Sequence, residues 1–126
     1  MNILAVDDND KTLVLLRAVL SKHGHSVITC DNALKALSIL SQTPIDLILS
    51  DMTMPDMNGA EFCKAVRKEE NDTHIPIIFL SGHSTVDDVA IGMIAGADDY
   101  LAKPVKIQEL VKKIANYAPQ TLSSKP

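Results

Sequence analysis

Five short apolar runs, separated by stretches of helical period, constrain what this chain can fold into. They are Ile3-Leu4-Ala5-Val6, Val27-Ile28-Thr29-Cys30, Leu47-Ile48-Leu49-Ser50, Ile77-Ile78-Phe79-Leu80 and Tyr100-Leu101-Ala102. The first, third and fourth are continuous rather than alternating, which is how strands covered on both faces of a sheet read. Leu13, Leu16 and Leu20 lie at i, i+3 and i+7, with Gly24 as a stop signal. Asp31 is placed to cap a second helix containing Leu34, Leu37, Ile39 and Leu40, closed before Pro44. Phe62, Ala65 and Val66 follow Gly59 at helical spacing. Ser84 or Thr85 caps a segment from Val86 to Ala95 that Gly96 ends. Ile107, Leu110, Val111, Ile114 and Ala118 form the longest stripe.

Strands alternating with helices imply a parallel sheet with right-handed crossovers. Five such units, with helices on both faces, predict an α/β doubly wound sheet of flavodoxin-like order 2-1-3-4-5. Strands 1 and 3 are then neighbours, and the topological switch lies between them.

Composition narrows the function classes. The 126 residues make one domain, and 46% apolar with 22% charged residues is ordinary for a globular chain. No apolar run approaches the ~20 residues that span a bilayer, and no basic segment followed by an apolar one opens the chain. A cytoplasmic location is the expectation. The net charge of −4 and 3% aromatic content argue against nucleic acid as a partner of this domain and against an anionic membrane. Cys30 and Cys63 are expected as reduced, buried thiols. Residues 119–126 read as a linker-like tail after a domain covering 1–118.

Ligands of open parallel sheets bind outside the carboxyl ends of the strands. Strand 1 ends in Asp7-Asp8, strand 3 in Asp51, strand 4 in Ser81 and strand 5 in Lys103-Pro104. Three crowded carboxylates raise one another's pKa unless a cation sits among them. With no His or Cys in the group, the donors suit Mg²⁺ or Mn²⁺ rather than zinc. A carboxylate nucleophile forming an aspartyl phosphate, Lys103 as fixed positive charge and Ser81 as hydroxyl donor suit phosphoryl transfer. Each residue alone has an ordinary explanation. Asp7 or Asp8 could cap the first helix, Asp51 could sit in a turn, Ser81 in a loop, and Lys103 on the surface. Their joint placement at four strand ends favours a site.

These residues also carry a resemblance. The blocks from Ile3 to Asp8, Asp46 to Gly59, Ile75 to Gly82 and Gly96 to Pro104 resemble the receiver domain of bacterial two-component response regulators, over about residues 2 to 118. The resemblance implies that Asp51 is the phosphoacceptor, served by a sensor histidine kinase or a histidine phosphotransfer protein. It implies Mg²⁺ held by Asp8, Asp51 and the carbonyl of Thr53, with Asp7 acting through water or positioning Asp8. Lys103 would pair with the phosphoryl group, ahead of a cis peptide to Pro104. Ser81 would be the switch hydroxyl and Tyr100 the aromatic that follows it, changing the surface of the fourth helix, fifth strand and fifth helix. Gly82 matches a preference for a small residue there. Thr53 and His83, each two residues beyond a site residue, are expected to tune hydrolysis of the phosphoryl group.

Two rival readings remain open. A Mg²⁺-dependent phosphohydrolase with an Asp nucleophile would carry a second carboxylate two residues later, where Thr53 stands. A nucleotide-binding flavodoxin-like module would need a Gly-rich loop after the first strand. The output is either a downstream protein target or a C-terminal effector domain outside this chain.

Overall fold

In the computed structural model, residues 1–70, 74–82 and 86–117 are described. The elements are β1 (Asn2–Val6), α1 (Asp10–Lys22), β2 (Ser26–Cys30), α2 (Ala33–Gln42), β3 (Leu47–Asp51), α3 (Gly59–Glu69), β4 (Ile77–Ser81), α4 (Val86–Ala95), β5 (Asp99–Ala102) and α5 (Ile107–Asn116). All strand pairs are parallel, in the order β2-β1-β3-β4-β5. This is the expected topology. Every residue of β3 and β4 is buried, as continuous apolar strands require.

Alternation along the strands feeds two cores. Leu4, Val6, Ile48, Ile77 and Phe79 pack with α2, α3 and α4, while Ile3, Ala5, Leu47, Leu49, Ile78 and Leu80 pack with α1 and α5. Cys30 and Cys63 are free and buried, as expected; burial pushes the Cys30 thiol up to about 11 and raises that of Cys63. No helix among the described residues is long and apolar enough to cross a membrane.

The structure corrects several local expectations. Asn32, not Asp31, is the N-cap of α2, and its side chain accepts from the Lys35 amide at 2.9 Å. Asp31 stands one residue too early to reach that amide and instead pairs with Lys35 Nζ at 3.1 Å. The buried stripe of α2 starts at Ala33 and Ala36, so Leu34 falls out of phase and is 60% exposed. In α5, Leu110 and Ile114 are buried but Ile107 is 49% exposed, since it begins the helix beyond the sheet's cover. Ala118, the expected caps Ser84 and Thr85, and the tail lie outside the described residues. Gly24 and Gly96 do end α1 and α4, at φ of +90° and +113°, a region that other residues rarely adopt.

Far from the strands' carboxyl ends, Arg67 ties α3 to the α4–β5 turn. Its guanidinium donates to the carbonyls of Gly96 (2.9 Å) and Ile75 (2.6 Å) and to Asp98 Oδ2 (2.8 Å). The same Asp98 oxygen accepts the Ile77 amide at 2.9 Å, so the start of β4 is fixed too.

Phe79 fills the space between α3 and α4. A Cβ at Gly59 would stand 2.7 Å from the Asp51 carbonyl oxygen and 3.0 Å from Phe79 Cε1. One at Gly92 would stand 2.7 Å from Phe79 Cδ2 and 2.8 Å from Cε2. Gly92→Ala gains about 1 kcal/mol of helix propensity. Overpacking against a buried ring costs about 1–3 kcal/mol. Net destabilisation is therefore expected, and Phe79→Leu should relieve it in a double-mutant cycle of denaturant unfolding. A Gly92→Ala variant at least as stable as the native protein would remove this account of the contact.

Candidate functional site

The site begins with sheet register. Val6 pairs with Ser50, so Asp7 and Asp51 stand side by side one position further on, at the switch between β1 and β3. Asp51 pairs with Leu80 and Ser81 with Ala102, which aligns the ends of β4 and β5 with the same rim. The Lys103 amide donates to the Ser81 carbonyl at 2.7 Å, and the Lys103–Pro104 peptide is cis, as the resemblance implied.

Local capping leaves the carboxylates available. Asn9 caps α1, accepting from the Lys11 and Thr12 amides at 2.9 and 3.2 Å, so neither Asp7 nor Asp8 does. Asp7 Oδ1 accepts the Asn9 amide at 2.9 Å, which fixes its carboxylate. Its other oxygen, Oδ2, is buried and receives no directed hydrogen bond. Lys103 Nζ lies 2.7 Å from that oxygen as an ion pair off hydrogen-bond alignment, and 3.6 Å from Asp51 Oδ2. Thr53 donates its amide to Asp51 Oδ1 at 3.3 Å.

Asp7, Asp8 and Asp51 each offer an oxygen within 4.8 Å of the others. Asp7 is fully buried, Asp51 is 7% exposed and Asp8 faces solvent. Burial raises the Asp51 carboxyl most and the charge of Asp7 raises it further, against the pull of Lys103 and the Thr53 amide; with a hydrogen bond shared with Asp8, it reaches about 6. Three hard oxygen donors, one of them on a buried carboxylate without a directed partner, make a set that could hold a metal ion.

Thus Asp7, Asp8, Asp51, Thr53 and Lys103 come together, with Ser81 buried at the end of the adjoining strand. Tyr100 lies apart from them. It is 37% exposed and borders a shallow groove with Glu109, Lys112 and Asn116. His83 falls outside the described residues. Two features of the loop after Asp51 were not anticipated. Asn58 and Glu61 form a reciprocal capping box that opens α3, which the Asn-x-x-Glu spacing could have signalled. Asp56 accepts amides from α2, for which local sequence carries no signal.

Fold and site together define a class: a doubly wound parallel sheet with an acidic cluster and a lysine at its switch point. The sequence matches the family described as Response regulator receiver domain over residues 3–115, and the chain belongs to that family. It is 37% identical over 114 residues to the response regulator MprA of Mycobacterium leprae, covering 90% of this chain and 49% of MprA. It is 31% identical over 135 residues to the sensor histidine kinase GacS of Pseudomonas protegens, covering 98% of this chain and 15% of GacS. The chain thus spans half or less of the length of these curated relatives. Among solved structures, the chemotaxis response regulator CheY4 of Vibrio cholerae is similar, with a TM-score of 0.87, 31% identity and coverage of 92% of this chain and 97% of that one. So is a chain from the co-crystal of the Saccharomyces cerevisiae histidine phosphotransfer protein Ypd1 with the receiver domain of its downstream response regulator Ssk1. Here the TM-score is 0.87, the identity 27%, and the coverage 96% of this chain and 90% of that one.

Proposed function

We propose that Asp51 accepts a phosphoryl group from a phosphohistidine of a sensor kinase or a histidine phosphotransfer protein. The observation that carries this reading is the Asp7–Lys103–Asp51 arrangement at the sheet's switch point. An ionised Asp51 oxygen attacks phosphorus in line, the P–N bond breaks, and its electron pair stays on the donor imidazole. An aspartyl phosphate results. A carboxyl titrating near 6 is ionised at neutral pH and more basic than an ordinary aspartate, which favours attack. Lys103, already beside Asp51 Oδ2, neutralises charge on the phosphoryl oxygens.

The donor set fits Mg²⁺, or Mn²⁺ as its substitute, held by Asp8, Asp51 and the Thr53 carbonyl with Asp7 behind them. When bound, such an ion neutralises and orients the phosphoryl oxygens. Gly82, which follows Ser81, is exposed, and a Cβ there would meet no atom within 4 Å outside its chain neighbours.

In this reading Ser81 moves to the phosphoryl group and Tyr100 turns inward behind it. Population shifts between two states of the α4, β5 and α5 surface. That surface already exposes Ile91, Met93 and Ile94 on α4, Tyr100 on β5 and Ile107 on α5. The partner reading it is a downstream protein or a C-terminal effector domain, in the cytoplasm. Residues 1–118 form the receiver and 119–126 a linker.

The chain acts as an acceptor with slow self-dephosphorylation, tuned at Thr53 and His83, and not as a multiple-turnover enzyme. Incubation with a small phosphodonor and Mg²⁺ is expected to add one hydroxylamine-labile phosphoryl group per chain, at Asp51. Continuous phosphate release from phosphomonoesters without labelling would favour a phosphohydrolase instead.

A further inference from the structure

The loop from Met52 to Asn58 joins the acceptor strand to α3, and its anchors are unequal. At its start Thr53 bonds Asp51, and Met54 is buried at 7% exposure. At its far end the exposed Asp56 reaches across to another helix. Asp56 Oδ1 accepts the amides of Ala33 (3.1 Å) and Met57 (2.9 Å), and Oδ2 accepts the amide of Leu34 (2.8 Å). With Asn32 taking the Lys35 amide, the first three amides of α2 are all satisfied, two of them by a residue from a different loop. Among the described residues, Asp56 alone links this loop to α2 by a side-chain hydrogen bond.

We propose that Asp56 is a positioning residue for the acceptor site, its carboxylate locking the far end of the loop against α2 so that the Thr53 peptide keeps its orientation towards the carboxylate cluster. The inference rests on the phosphoacceptor reading above. Asp56 stands three residues beyond Thr53, and the bond to α2 fixes both its carboxylate oxygens at once. Thr53 donates to Asp51 and the Gly59 amide closes the loop on the Met52 carbonyl at 2.8 Å, so Asp56 adds a tie of a different kind, to a helix outside the loop. Residues that orient metal-facing groups from behind change metal affinity without touching the ion.

The test compares Asp56→Ala, Asp56→Asn and Asn32→Ala with the native chain. Asn32→Ala weakens capping at the same end of α2 but leaves the loop's link intact. Asp56→Asn removes the charge but keeps an acceptor oxygen. Two quantities are read: the Mg²⁺ dissociation constant by calorimetry, and hydrogen exchange at the Thr53 amide without metal.

Asp56→Ala is expected to weaken Mg²⁺ about tenfold and speed Thr53 exchange comparably. Asn32→Ala should leave both within about twofold, and Asp56→Asn, which keeps one of the two acceptor oxygens, should recover at most part of the loss. A fall in Mg²⁺ affinity in Asp56→Ala with Thr53 exchange unchanged in the metal-free protein would assign the effect to charge and overturn the inference. So would equal loss in Asn32→Ala, or no change in Asp56→Ala. A native chain that does not bind Mg²⁺ overturns the metal site and this inference together, a result distinct from native binding that Asp56→Ala leaves unchanged.

Discussion

Asp51→Asn is expected to abolish phosphoryl acceptance and, in metal-free protein at neutral pH, to make the chain more stable than the native one. The carboxyl of Asp51 titrates at about 6 in the folded chain, against an ordinary aspartate value of 3.8. The folded state therefore holds this proton more tightly than the unfolded state does. Its contribution to stability is full below about pH 4 and is lost as pH rises through about 6. At pH 7 the ionised group forgoes at most about 3 kcal/mol, less where solvent reaches the rim. Asparagine keeps the shape and carries no charge. We expect a gain of about 1–3 kcal/mol at pH 7 in the presence of a chelator, or several degrees in Tm. The gap should narrow towards pH 4.5. Thermal unfolding of both proteins at the two pH values checks this, and a gap independent of pH would remove the electrostatic explanation.

Lys103→Met should act in the opposite direction. Lys103 is the one cation within 4 Å of these carboxylates among the described residues, and methionine preserves most of its apolar stem. Breaking a fully buried pair costs about 3–5 kcal/mol. Asp7 is fully buried, but the lysine side chain is 22% exposed, so water replaces part of the lost interaction. A loss of about 1–3 kcal/mol in metal-free protein is the expected result. Removing a positive charge from the cluster should also tighten Mg²⁺ binding about tenfold, since a like charge no longer competes for the same oxygens. Phosphoryl acceptance should nonetheless fall about a hundredfold, because the fixed charge facing the developing phosphoryl oxygens is gone. Tighter metal with slower acceptance separates the two roles. Unchanged metal affinity and unchanged stability would mean that the ammonium does not sit among the carboxylates in solution.

The strands were legible because continuous runs such as Leu47-Ile48-Leu49 leave few alternatives to a strand covered on both faces. Once strands alternate with helices, topology follows, and topology brings Asp7, Asp8, Asp51, Ser81 and Lys103 to one rim. What local pattern could not reveal depends on contacts distant in sequence. The cap on α2 comes partly from Asp56, which lies 23 residues beyond Ala33. Leu34 looked like a core residue until the helix phase was set by Ala33 and Ala36. The Arg67 clasp joins groups brought together only by folding, the Gly96 carbonyl 29 residues away and Asp98 31 residues away. The role proposed for Tyr100 rests on resemblance alone, since its spacing places it on a strand and says nothing of movement.

The Phe79 ring has a mechanical consequence. Its edges meet α3 at Gly59 on one side and α4 at Gly92 on the other, and Gly59 also abuts the Asp51 peptide oxygen. The ring is thus a spacer of fixed width, with no side chain on either glycine to yield. Compression of α4 towards β3 is blocked by the ring. The ring thus sets how near α4 can come to the sheet, while Arg67 sets where its last turn sits against α3.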